Sequence, residues 1–280
     1  MSGYPVGRGH VIQAIRSALE PRDDVLAMWE GGAAAFDRVD EWSDIDLQVL
    51  CRDGRVEDVM EAARTAVETL SPLETAFRFP DPTWHGHSQA LWSLMDASPF
   101  LIVDFVVMER GNDRDRFLQS EIHGRPVVHF DKQGDLDAEP LDAAEHAAKI
   151  RERIERHRAL RRLLRPFVEK EVRRGNAAEA MAYYQAMALR PLVELLRMKH
   201  SPLRYNFHTR YVYYEFPEPV VRRLERLFYA ADVSELEARC EAVLTWIEEL
   251  LSELGDGPTE SEIADLASRE REIRASQGRV

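Results

Sequence analysis

The hydrophobic pattern changes period once along this chain, near residue 141, and that change constrains the fold more than any other feature. Before it, apolar residues come in short runs at 25–29, 45–51, 74–79, 88–95 and 100–108, punctuated by Gly31-Gly32, Asp53-Gly54 and a Pro- and His-rich stretch. Runs of that length between turn signals predict strands. Two helices are predicted among them. One spans 8–20, with Val11, Ile12, Ile15 and Leu19 on one face, and ends at Pro21. The other spans 56–70, with Val59, Ala62, Ala63, Ala66, Val67 and Leu70 inward. A short helix start is expected at 33–36.

After residue 141 the period is helical almost to the end. Asp142 with Glu145 has the form of an N-cap and its acidic partner. Residues 147–174 predict one or two helices interrupted near Pro166. Residues 177–199 predict another, with a kink or restart at Pro191. Residues 201–219 form an aromatic, loop-rich segment. Helices follow at 220–229 and 233–254, and Thr259 with Glu262 opens a last, charged helix. No internal repeat is present. The expected fold class is α+β: a small mixed β-sheet domain over 1–140, followed by an all-α helical-bundle domain over 141–280 with a charged C-terminal tail.

Charge narrows the function classes. The net charge is −13, and it is not spread evenly. Residues 1–140 hold 13 Lys and Arg against 26 Asp and Glu, whereas residues 141–280 hold 24 of each. An acidic first half repels nucleic acid and attracts cations. The Arg-rich run at 151–165 has Glu interleaved at helical spacing, the pattern of an exposed face laced with ion pairs. No apolar run is long enough to span a membrane, and the first residues lack the apolar core of a signal peptide. Cys51 and Cys240 are too few and too far apart for a disulfide framework. The expectation is a reduced, cytoplasmic protein without nucleic-acid or membrane partners, monomeric or homodimeric.

Three aspartates carry the chemistry. Asp44 and Asp46 lie two residues apart at the second predicted strand, so their side chains share one face. Adjacent carboxylates repel unless a cation sits between them, and hard oxygen donors suit Mg²⁺. Asp104 stands alone in the apolar run FLIVDFVVM, where an unpaired carboxylate is costly to bury. If that strand neighbours the first, three carboxylates meet, an arrangement suited to phosphoryl transfer on two metal ions. Gly31 and Gly32 permit a tight turn and close approach of a phosphate to backbone amides. Arg38 follows within reach of a triphosphate.

These residues resemble the nucleotidyltransferase superfamily typified by DNA polymerase β. Its pattern is Gly-[Gly/Ser]-Ser, a short spacer, Asp-x-Asp/Glu, then a third acid on a later strand. The resemblance covers roughly residues 25–110. It implies transfer of a nucleoside monophosphate, AMP from ATP, with two Mg²⁺ ions and release of pyrophosphate. Asp44, Asp46 and Asp104 then correspond to the metal ligands and catalytic acids, and Gly31, Gly32 and Ala33 to the phosphate loop. The family serine is Ala33 here, which removes one hydroxyl contact. A helical second domain is similar to the members that modify aminoglycosides or lincosamides. It implies a small-molecule hydroxyl acceptor, such as a cationic antibiotic, with Mg·ATP between the domains. Protein adenylylation and non-catalytic nucleotide binding are the alternatives.

Other candidates are weaker. Trp84-His85-Gly86-His87 offers two imidazoles and no cysteine, too little for zinc, and reads as a polar loop. Tyr184, beside Tyr183 and Gln185, has the spacing of a core residue, with stacking on a base as the functional alternative. Lys199, with His200, Arg204 and Arg210 nearby, is a candidate for a phosphate. The acceptor proton needs a base. Asp104, Glu171 and Glu194 are the candidates, and sequence leaves that choice open.

Overall fold

The computed structural model describes residues 3–277. The chain divides into two compact units. The first runs to Pro140 and takes in the residues from Arg271 onward; the second is Leu141–Glu270. The fold class is α+β, a mixed sheet with helices in one unit and helices alone in the other.

In the first unit α1 (Arg8–Leu19) leads into β1 (Val25–Glu30), the short α2 (Gly32–Ala35), β2 (Ile45–Cys51) and α3 (Val56–Glu68). Then come β3 (Leu73–Arg78), β4 (Ser88–Leu94), β5 (Val103–Glu109), a one-turn α4 (Ser120–His123) and β6 (Val127–Asp131). The sheet order is β3-β4-β5-β2-β1-β6. Among the described strands, β2 and β5 run parallel and the other neighbours pair antiparallel.

Period-two alternation decides what each strand buries. Ile45, Leu47 and Val49 of β2 and Val103, Phe105 and Val107 of β5 face one side, under α1 and α3, in the main core of this unit. The other side has a smaller apolar cluster of Leu26, Trp29, Leu50, Val106 and Met108, closed by Leu118. Asp46 and Asp104 belong to this second side by alternation, near the start of their strands. The sequence offered no signal for β6. It is a five-residue edge strand whose Val127 and Val128 are exposed, so it has no inward-outward pattern to read. The strand predicted from 100 begins at Val103, and Phe100 and Ile102 stay exposed.

The second unit contains α5 (Ala143–Arg174), α6 (Ala177–Tyr183), α7 (Arg190–His200), α8 (Val212–Glu215), α9 (Glu218–Phe228), α10 (Leu236–Leu254) and the first part of α11 (Glu260–Gln277). Asp142 caps α5, its carboxylate accepting from the Glu145 amide at 2.9 Å. Thr259 and Glu262 cap α11 reciprocally.

One of the two proline expectations needs correction. Pro166 does not interrupt α5, which is continuous through it. A proline inside a helix costs about 3 kcal/mol. Here Leu164 and Val168 on either side are buried in the core and carry the helix through. Pro191 stands in the first turn of α7, which starts at Arg190, so the restart expected there is present. A wide π-helical turn, Tyr184–Leu189, joins α6 to α7, and the Arg190 amide reaches back five residues to the Gln185 carbonyl. The wider turn makes room for a ring that has no N–H to donate. Among the described residues, no helix is long and apolar enough to cross a membrane.

Candidate active site

The parallel pairing of β2 with β5 sets Asp46 directly opposite Asp104. Asp44 lies just ahead of β2, where the Ile45 amide donates to the Ile102 carbonyl at 2.8 Å. All three predicted acids are therefore at one end of two neighbouring strands. Asp44 is exposed, and Asp46 and Asp104 are partly buried. Two segments some sixty residues apart in sequence converge here, which a sequence reading can only expect conditionally.

Burial pushes the Asp104 carboxyl above its ordinary pKa. The Gln89 side chain opposes that shift by hydrogen bonding, the charge of Asp44 adds to it, and His85 works against it. Gln89 comes from β4 and donates through Nε2 to both Asp104 oxygens, at 2.7 and 3.0 Å. The Gln89 Oε1 atom lies 3.2 Å from His85 Nε2. Gln89 was not among the sequence candidates. Its only trace is that it alternates with the inward Ala90, Trp92 and Leu94.

The glycine loop is fitted to the second aspartate. Gly32 has φ +51°, and a Cβ built on it would lie 1.6 Å from Asp46 Oδ2. No side chain larger than hydrogen fits there while Asp46 holds its place. A Cβ built on Gly31 would lie 3.1 Å from Gln48 Nε2, a tight contact but not an overlap. The Gly31 amide donates to the Asp46 carbonyl at 2.9 Å. That amide is committed to the protein, which departs from its expected part in a phosphate loop. Gly32 and Ala33 lie in the first turn of α2, whose leading amides lack intrahelical acceptors.

Arg8, also missed by the sequence reading, ties this end of the sheet together. Its guanidinium donates to the Asp44 carbonyl and pairs with Glu30, a buried carboxylate that immediately precedes Gly31. His129 Nε2 lies 3.3 Å from the other Glu30 oxygen. A residue at the start of α1 thus fixes both the end of β1 and the approach to β2.

The donor set is chemically suited to a hard divalent cation, since it offers carboxylate oxygens on adjacent strands. Asp44 also stands close enough for its charge to act on Asp104. Yet no three His, Cys, Asp or Glu side chains among the described residues stand together as a ready metal cage. Asp104 faces Gln89 and Asp46 packs against Gly32, so the three acids share an end of the sheet without closing on one point. Mg²⁺ tolerates such an open set, because it keeps waters and takes one or two carboxylates together with substrate phosphates.

The remaining candidates do not join this cluster. Arg38 follows the loop, its amide bonded to the Ala33 carbonyl at 2.9 Å and its guanidinium 4.9 Å from the centroid of the Phe36 ring. Tyr184 belongs to the helical core. It is fully buried, its hydroxyl donates to the Leu227 carbonyl at 2.8 Å, and burial raises its pKa above the ordinary tyrosine value. It offers no face to a base. Lys199 forms an ion pair with Glu253 in the second unit at 2.5 Å, a surface contact and not a phosphate clamp.

Two glutamates named as bases are tied up as well. Glu171 is buried at the end of α5 and takes hydrogen bonds from Asn176 and Arg174. Glu194 is held by His157 and Arg153, which outweigh its burial and keep its pKa low. Arg204 is buried against Glu215 and Glu270. His87 is also buried, with its Nε2 2.9 Å from the Asp115 carbonyl, whereas Trp84 is 88% exposed.

No protein-family model matches the chain, and no curated protein matches it. Among solved structures, the chain is similar to a nucleotidyltransferase-like protein from Exiguobacterium sibiricum 255-15. The identity is 16% over 90% of this chain and 77% of that one, with a TM-score of 0.36.

Proposed function

We propose that this chain is a divalent-metal-dependent nucleotidyltransferase that moves a nucleoside monophosphate, AMP from ATP, onto a hydroxyl of a small molecule. The observation that supports this most is the register of β2 with β5. It sets Asp46 against Asp104 beside a glycine loop shaped to Asp46. The acid excess of the first 140 residues, 26 against 13, favours a cationic acceptor.

In this reading Asp44, Asp46 and Asp104 hold Mg²⁺, which when bound neutralises phosphate charge and lowers the pKa of a coordinated hydroxyl. Arg8 and Glu30 keep Asp44 and the end of β1 in place. The amides that open α2 receive a phosphate oxygen. The acceptor oxygen attacks the α-phosphorus, the bond to the bridging oxygen breaks, and pyrophosphate leaves. The hydroxyl proton passes to Asp104, whose buried setting makes it a better base than an exposed aspartate. Glu171 and Glu194 are excluded from that part by their existing partners.

The test is calorimetric titration with a non-hydrolysable ATP analogue, with and without Mg²⁺. Wild type should bind only with the metal, and Asp44→Asn/Asp46→Asn should lose binding while keeping its unfolding midpoint. Binding in wild type that does not depend on Mg²⁺, or that survives in the double variant, would overturn the reading. Metal-dependent binding with no pyrophosphate release on any acceptor would point to a nucleotide-binding regulator. Label from ATP appearing on protein would point to protein adenylylation.

A further inference from the structure

We propose that Gln89 is a positioning residue for the candidate site. It holds the Asp104 carboxylate in one orientation, and His85 fixes which end of the Gln89 amide faces that carboxylate. The inference rests on the reading that Asp104 belongs to a metal- and nucleotide-binding centre.

The geometry supplies each step. On the antiparallel pair β4–β5, Gln89 stands opposite Val106 and Leu91 opposite Asp104. Gln89 and Asp104 are therefore diagonal neighbours on the same face, a separation that a long side chain spans. A single nitrogen, Nε2, reaches both carboxylate oxygens at 2.7 and 3.0 Å. That contact leaves the outer lone pairs of Asp104 for other partners, and it fixes the plane of the carboxylate.

The other end of the amide sets its direction. Gln89 Oε1 can only accept, so the proton in the 3.2 Å contact with His85 Nε2 belongs to His85. A flipped amide would put its oxygen against the carboxylate and its NH₂ against an N–H. His85 is itself held from behind. Its Nδ1 lies 3.0 Å from Thr83 Oγ1 and 3.2 Å from the His87 amide. Orientation thus passes from the loop at 83–87 through His85 and Gln89 to Asp104.

Asp104 needs such a partner because it is partly buried and sits near the like charge of Asp44. Residues that hydrogen-bond a metal-ligating carboxylate typically govern metal affinity by roughly 10- to 100-fold.

The experiment uses the full chain without nucleotide, and Mn²⁺ as the probe, with free Mn²⁺ read by electron paramagnetic resonance. Gln89→Leu should weaken Mn²⁺ binding by about 10- to 100-fold, and His85→Ala by less, with unfolding midpoints close to wild type. A second readout needs no metal: the side-chain amide resonances of Gln89 in glutamine-labelled protein. They should shift in both Asp104→Asn and His85→Ala. Gln89→Leu binding Mn²⁺ as tightly as wild type, or more tightly, overturns the proposal. So does a Gln89 amide that is unmoved by Asp104→Asn. If wild type binds no Mn²⁺, the metal-centre reading falls. The amide resonances then decide the orientation alone: movement in both variants supports it and no movement overturns it.

Discussion

A single hydrogen atom at Gly32 decides whether Asp46 can stand where it does. The backbone there is left-handed, and a Cβ would overlap the Asp46 carboxylate. Gly32→Ala is expected to cost about 1 to 3 kcal/mol in urea unfolding. It should also displace Asp46, so that nucleotide binding falls further than stability does. A variant with wild-type stability and wild-type binding would show that the loop is not fitted to Asp46. The residue scale also shows why sequence chose unevenly among its candidates. Asp44, Asp46 and Asp104 stood out because a carboxylate among apolar neighbours is conspicuous. Tyr184 kept a ligand-binding alternative because a tyrosine beside another looks the same in a core as on a ligand. Only the Leu227 carbonyl, 43 residues away, separates the two cases.

Elements were legible where their signals are local. The cap at Asp142 is one such signal: its side chain satisfies an amide that the helix itself leaves open. Asp142→Ala should cost about 0.5 to 2 kcal/mol, measured as a lower midpoint for unfolding of the helical unit. No change would mean that packing alone positions the start of α5. The elements misread were those whose fate is set by neighbours. Pro166 stays inside a helix because the core on both sides outweighs its local cost. β6 exists because β1 offers it an edge.

At the scale of the whole molecule, pH exposes buried histidines in both units. His87 in the first and His146 in the second are 3% and 6% exposed, and burial lowers the pKa of each from 6.5. The folded-state pKa lies below the unfolded one, so the unfolded chain takes up these protons first as pH falls. Their contribution to stability is complete above pH 6.5 and is lost progressively below it. Each fully differential histidine is worth about 1.4 kcal/mol per pH unit. Urea midpoints for both units should therefore drop between neutral pH and pH 5.5 or so, and His87→Phe should flatten the slope of the first. Equal midpoints across that range would mean that neither histidine is buried neutral.

The sequence by itself determined what short-range periodicity encodes. It established the strand-rich first half and helical second half, the faces shared by residues two or four apart, the caps at Asp142 and Thr259, and the acidic character of the first half. Those properties depend on φ/ψ geometry and on neighbours within a turn, so they survive without knowledge of the fold. The tertiary structure decided the rest. It chose the parallel register that opposes Asp46 to Asp104, the partnership of Gln89 and His85 with that carboxylate, and the reach of Arg8 to Asp44 and Glu30. It also consigned Tyr184, Lys199, Glu171 and Glu194 to structural contacts. Pairings between segments tens of residues apart are selected by how the whole core packs, and no local window of sequence contains that competition.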